Sequence, residues 1–140
     1  RMRDGRATIE PGNTLESLDV SEIVVPRRRL DSYDFGPVGL IKIDVEGHEL
    51  AVLKGGSGLI ARDRPTLIVE AEDRHRPGTV EALVNLLATF GYRGHYLEGG
   101  RLMPLDGIAP ANAIGAATAA RHIYNFVFSA RSDSLGSLTA

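Results

Sequence analysis

The run Leu40-Ile41-Lys42-Ile43-Asp44-Val45-Glu46-Gly47-His48-Glu49 restricts the fold of this chain more than any other stretch. Its first part has the apolar, β-branched content of a strand. Two carboxylates follow, then a glycine that permits a sharp turn, then a helical pattern. This is a β–α unit of an open α/β sheet, and ligands bind at the carboxyl edge of such sheets. Thr66-Leu67-Ile68-Val69-Glu70-Ala71 repeats the arrangement and leads into Glu70, Glu72 and Asp73. Two strands therefore deliver acids to the same kind of position.

The rest of the chain supplies the partners. Val38 to Ile43 reads as a strand covered on both faces, and Leu50, Val52 and Leu53 give the next helix its apolar face until Gly55-Gly56 stops it. Leu59 to Arg62 adds a final turn before Pro65. The cluster Gly55-Gly56-Ser57-Gly58 follows a helix and lacks the spacing of a phosphate loop. Thr79 is placed to cap a helix carrying Val80, Leu83, Val84, Leu87 and Phe90 at helical spacing, with Gly91 as its C′ residue. Tyr92–Leu97 and Leu102–Leu105 form strands around Gly99-Gly100, Ala116–Arg121 a helical turn, and Ile123–Ser129 the last strand. Residues 1 to 22 read as irregular, with a short strand at Ala7–Ile9, and Val24-Val25 before Pro26 reads as an extended edge piece. This order implies an α/β fold of two parallel βα units followed by antiparallel strands that extend one edge.

Bulk properties narrow the function. A single domain of 140 residues with a net charge of −2 offers no electrostatic reason to bind nucleic acid or an anionic membrane. The chain has no cysteine, which removes disulfides, thiolate metal sites and a cysteine nucleophile, and fits a cytoplasmic setting. No run reaches the roughly 18 to 20 apolar residues of a membrane span. Arg27-Arg28-Arg29 reads as a solvated face.

The string Ile41 to Glu49, with Val52-Leu53-Lys54-Gly55 after it, Pro65 to Glu70 a helix later, and Leu30-Asp31-Ser32-Tyr33 upstream, resembles the signature of FkbM-type methyltransferases. The resemblance implies a class I, Rossmann-like methyltransferase that uses S-adenosylmethionine, with O-methylation of a small-molecule or sugar acceptor. These strands would then be the fourth to seventh of a seven-stranded sheet, with one short strand to spare. Residues 1–140 would form a single domain, the C-terminal portion of that fold. The family's donor loop, a glycine-rich turn after the first strand, has no counterpart in residues 1–140, and the opening Arg1-Met2-Arg3 agrees with a piece of a longer protein. The cofactor-binding residues therefore stay unassigned.

Methyl transfer to a hydroxyl needs the acceptor oxygen aligned and its pKa lowered by a base or metal. Asp44 is the expected catalytic acid–base residue and His48 a second candidate base, with Glu46 and Glu70 contacting substrate. Asp44 and Glu70, on adjacent strand ends, are placed to share a Mg2+ ion, as acids do in catechol-type O-methyltransferases. A structural alternative stands beside each: Asp44 as a helix cap, Glu46 offsetting the helix dipole, His48 simply opening an exposed helix. Glu49 and Lys54 read as solvated, Glu72, Asp73 and His75 as loop surface, and His95 and His122 as structural. The competing function is a non-catalytic Rossmann-like module that binds a metabolite or partner. An open edge at Leu40–Ile43 also offers a route to a homodimer.

Overall fold

The structure, a computed structural model, describes residues 24–73, 77–107, 109 and 114–130. The strand expected at Ala7–Ile9, the loop residue His75 and the tail from Arg131 lie outside them. Among the described residues there are five strands, β1 (Leu40–Ile43), β2 (Thr66–Glu70), β3 (Arg93–Glu98), β4 (Arg101–Pro104) and β5 (Asn125–Ser129). They form one mixed sheet in the order β1-β2-β5-β3-β4. β1 and β2 are parallel, and every other pairing is antiparallel. The antiparallel strands do extend the sheet beyond β2, but out of sequence order. β5 carries the fully buried Phe126 and Phe128 and takes an interior place, while β4, exposed at three of four positions, takes the edge.

Register explains the core. Ile43 faces Val69, Val69 faces Phe126, Leu67 faces Phe128, and Phe126 faces Tyr96, so all lie on one side of the sheet. Four helices, α1 (Glu49–Gly55), α2 (Ser57–Asp63), α3 (Thr79–Ala88) and α4 (Ile114–Ala120), close over it. Leu53, Ile60, Leu83, Leu87 and Ile114 enter this cluster, each contributing roughly 1.5–3 kcal/mol by leaving water. The opposite side carries Leu40, Lys42, Ile68, Glu70, Asn125 and Leu97. It is only half covered: Leu40 is 57% and Leu97 64% exposed. β1 is therefore not buried on both faces, because among the described residues it is an edge strand whose second face meets no helix. No described helix is long and apolar enough to cross a membrane.

Four local expectations are corrected. Residues after Gly56 form a second helix, α2, rather than one further turn. Its donors Gly58 N–H and Leu59 N–H are capped by Asp31, at 3.0 and 2.9 Å, from a 3-10 turn at Leu30–Ser32. These two backbone bonds, chiefly that from Leu59, hold the Asp31 pKa below the ordinary carboxylate value. The glycine cluster is the seat for this turn: a Cβ at Gly56 would lie 2.8 Å from Leu30 Cδ2. At α3 the cap is Gly78 with φ +80° rather than Thr79, which is buried as the first helical residue. Asp73 Oδ1 accepts the Val80 N–H at 3.0 Å, which gives Asp73 a capping task rather than a place on the loop surface. Val24 and Val25 form no strand; both are exposed, Val24 almost fully.

Candidate functional site

Asp44 and Glu70 are level with each other, since each follows directly on the paired residues Ile43 and Val69. Parallel neighbours lie about 4.8 Å apart, so the two side chains leave the same edge on the same face. Lys42, two residues before Asp44, shares that face. Its Nζ lies 3.4 Å from Asp44 Oδ2 and 3.5 Å from Glu70 Oε2. All three side chains are roughly half exposed, so each pair contributes less than about 1 kcal/mol. The grouping matters for arrangement, not stability.

That ammonium bears on the expected Mg2+ site. Among the described residues no group of three or more His, Asp or Glu is arranged to hold a metal. Asp44 and Glu70 already share a positive charge, and a divalent ion between them would meet Lys42 at a few ångströms. The residues present do not fit the ion as arranged. Strand alternation, which sets residues i and i+2 on one face, was the signal that could have placed Lys42 there.

Beyond Asp44 the chain turns sharply through Glu46 (φ +49°) and Gly47 (φ +102°). Gly47 N–H donates to Glu49 Oε1 at 2.8 Å, and this bond draws Glu49 inward to 2% exposure. Glu49 is thus not solvated. Its second oxygen, Oε2, is buried without a hydrogen-bond partner among the described residues. It borders a crevice of 10 Å³ lined also by Asp44, Glu46, Glu70 and Glu72. A buried carboxylate oxygen left unmatched calls for a hydrogen-bond donor or a cationic group. Glu72 faces this crevice instead of lying on the loop surface. Asp44, Glu46 and Glu70 are therefore brought together on one crevice. His48 is not among the residues lining the crevice: it occupies the N-cap position of α1, half-buried, with no side-chain capping bond. Asp44 in turn is not the cap of α1.

A second concavity opens farther along the same edge, where β3 ends and β5 begins. It measures 440 Å³ and is bordered by Glu98, Arg121, His122, Tyr124 and Asn125. Arg121 pairs with Glu98 and lies 5.5 Å over the ring of buried Tyr96. His122 Nδ1 is 3.0 Å from the Tyr124 hydroxyl. Ala71 N–H donates to the Tyr124 carbonyl at 2.8 Å, which fastens this loop to the end of β2. His122 was read as structural because no partner is visible near it in sequence; the ring pairing depends on the turn that follows α4. His95 lies in mid-strand on β3, its Nδ1 buried without a partner among the described residues.

The Methyltransferase FkbM domain family model matches residues 4–94, close to two-thirds of the chain. No curated protein and no solved structure matches the chain.

Proposed function

Since the chain belongs to the FkbM methyltransferase family, we propose that it is the acceptor-side part of an S-adenosylmethionine-dependent methyltransferase that acts on a hydroxyl of a small molecule or sugar. The observation that carries this reading is the meeting of Asp44 and Glu70 on one ammonium at the carboxyl edge of the parallel pair. In this reading β1, β2, β3 and β5 are the fourth to seventh strands of a Rossmann-like sheet, and short β4 is the extra one.

Each residue then has a task. Asp44 accepts the proton of the acceptor hydroxyl, and Glu70 accepts a hydrogen bond from a neighbouring hydroxyl of the same acceptor, which fixes its position. Lys42 restrains both carboxylates and balances their charge. The donor supplies an electrophilic methyl group on a cationic sulfur. The acidic crevice suits a cation, and its volume suits one ammonium-sized group rather than a nucleoside. Glu49, with its unmatched oxygen, would hold the donor's α-ammonium there, beside Glu46. The glycine-rich turn that would hold the rest of the donor is not among residues 1–140. That absence also favours a second reading, a metabolite- or partner-binding module without transfer activity.

Calorimetric titration of S-adenosylhomocysteine into the complete gene product separates the two. The enzyme reading expects saturable binding, about tenfold weaker in Glu49→Gln and unchanged in Asp31→Ala, which lies outside the crevice. Failure of the complete gene product to bind would remove the enzyme assignment and leave the binding module.

A further inference from the structure

The concavity between the end of β3 and the start of β5 has no task in the mechanism above, yet it is continuous with the acidic edge. Asn125 stands directly opposite Glu70 in the β2–β5 register, so their side chains share a face. Leu97 follows Tyr96, which faces Phe126, and so falls level with Asn125 on that same face. Asp44, Glu70, Asn125 and Leu97 form a row across four strand ends, with steps of about 4.8 Å. A molecule whose reacting hydroxyl lies at Asp44 and Glu70 extends naturally along this row into the concavity.

Its chemistry selects the ligand. Arg121 and Glu98 neutralise each other, so no net charge invites a phosphate or carboxylate. What remains is a set of short-range polar groups: the Asn125 amide, the His122 ring, the Tyr124 hydroxyl and the outer faces of the ion pair. Exposed Leu97 supplies an apolar surface beside them. Volume agrees, since 440 Å³ lies within the range of small-molecule sites.

The backbone adds an independent sign. α3 and α4 end in the same hydrogen-bonded closure: Tyr92 N–H to Leu87 O with Gly91 N–H to Ala88 O, and Ile123 N–H to Thr118 O with His122 N–H to Ala119 O. Both closures need a left-handed residue at C′. In α3 it is Gly91, φ +76°, the inexpensive choice; in α4 it is His122, φ +54°. A histidine kept where glycine would be less strained has its side chain in the concavity.

We propose that this concavity is the acceptor-recognition site and takes a neutral, polyhydroxylated ring, with His122, Tyr124 and Asn125 as the residues that select it. It rests on the methyltransferase reading for the word acceptor, and on its own geometry for the binding.

The test is NMR titration of the complete gene product with methyl α-D-glucopyranoside, methyl α-L-rhamnopyranoside and myo-inositol, against catechol and glycerol 3-phosphate. At least one neutral ring polyol should shift the Tyr124 and His122 ring signals saturably, at least tenfold more tightly than either control. Asn125→Ala and Tyr124→Phe should weaken it at least fivefold, while Asp31→Ala, which uncaps α2 away from the edge, leaves it unchanged. His122→Gly should lose affinity while its Tm stays level or rises; a lower Tm with unchanged affinity would assign His122 to the fold and overturn its role. Binding of S-adenosylhomocysteine with no polyol shift at the concavity would overturn the proposal and leave the enzyme reading intact. Polyol binding without S-adenosylhomocysteine binding would uphold the site and remove only the word acceptor. Preference for catechol or the phosphate would overturn the neutral-polyol assignment.

Discussion

The two ends of the sheet's carboxyl edge are built from opposite materials. At β1 and β2, five carboxylates crowd a crevice of 10 Å³, one of them buried with an unmatched oxygen, and one lysine bridges two others. At β5 and β3, a concavity of 440 Å³ is bordered by groups whose charges cancel. A tight, charged corner suits a proton and a cationic centre; a roomy, neutral one suits the rest of a substrate. In the proposed reading this one edge separates chemistry from recognition, with Glu70 and Asn125 as the joint.

Substitutions can break that division. After Asp44→Asn, the largest effect expected is in Glu70→Gln, which should lower the methyl-transfer rate of the complete gene product about tenfold to 10²-fold in a radiolabel assay, the scale of a misplaced acceptor. A change under threefold would move the chemistry elsewhere. His48→Asn should cost less than Glu70→Gln, since His48 does not line the crevice. Next comes Gly115→Ala in α4. A Cβ there would meet Asp73 Oδ2 at 2.2 Å, so Asp73 must leave its bond to Val80 N–H, and urea unfolding should show a loss of about 1–3 kcal/mol. Because Asp73 adjoins Glu72, donor binding should fall as well.

Asp31→Ala should cost about 1 kcal/mol by uncapping α2, with neither site altered. Its pH dependence has a definite sign. The folded pKa is depressed, so the stabilisation is present above the ordinary carboxylate pKa of 3.8 and is lost as pH falls through the lower folded value. As pH falls from about 4 through the lower folded value, the Tm gap between the wild type and Asp31→Ala should narrow; a gap with no pH dependence there would refute the capping account. The smallest effect belongs to Lys42→Met, under about 1 kcal/mol in stability because the pairs are half exposed.

Much of this was legible in the chain itself, unevenly. The apolar runs located β1 and β2, and with them the strand-end positions of Asp44 and Glu70, because strand ends are local. Glu49 was misread because its burial follows from one bond to Gly47 N–H two residues back, on a turn where Glu46 takes a positive φ. Asp31 and the glycine cluster read as separate features, though they are one contact across 27 residues of chain. β1's open face could not be seen from its apolar run, which looks the same for a buried strand and an edge strand. Asn125 meets Glu70 only because β5 inserts beside β2, a choice made by Phe126 and Phe128 against the core.

The division of labour is tested most directly by steady-state kinetics of Asp44→Asn and Asn125→Ala in the complete gene product, with the polyol that binds most tightly as acceptor. The account predicts that Asp44→Asn lowers kcat at least a hundredfold with KM for the acceptor nearly unchanged, and that Asn125→Ala raises KM about tenfold with kcat nearly unchanged. A fall in kcat for Asn125→Ala as large as that for Asp44→Asn, or a rise in KM for Asp44→Asn with kcat intact, would contradict it.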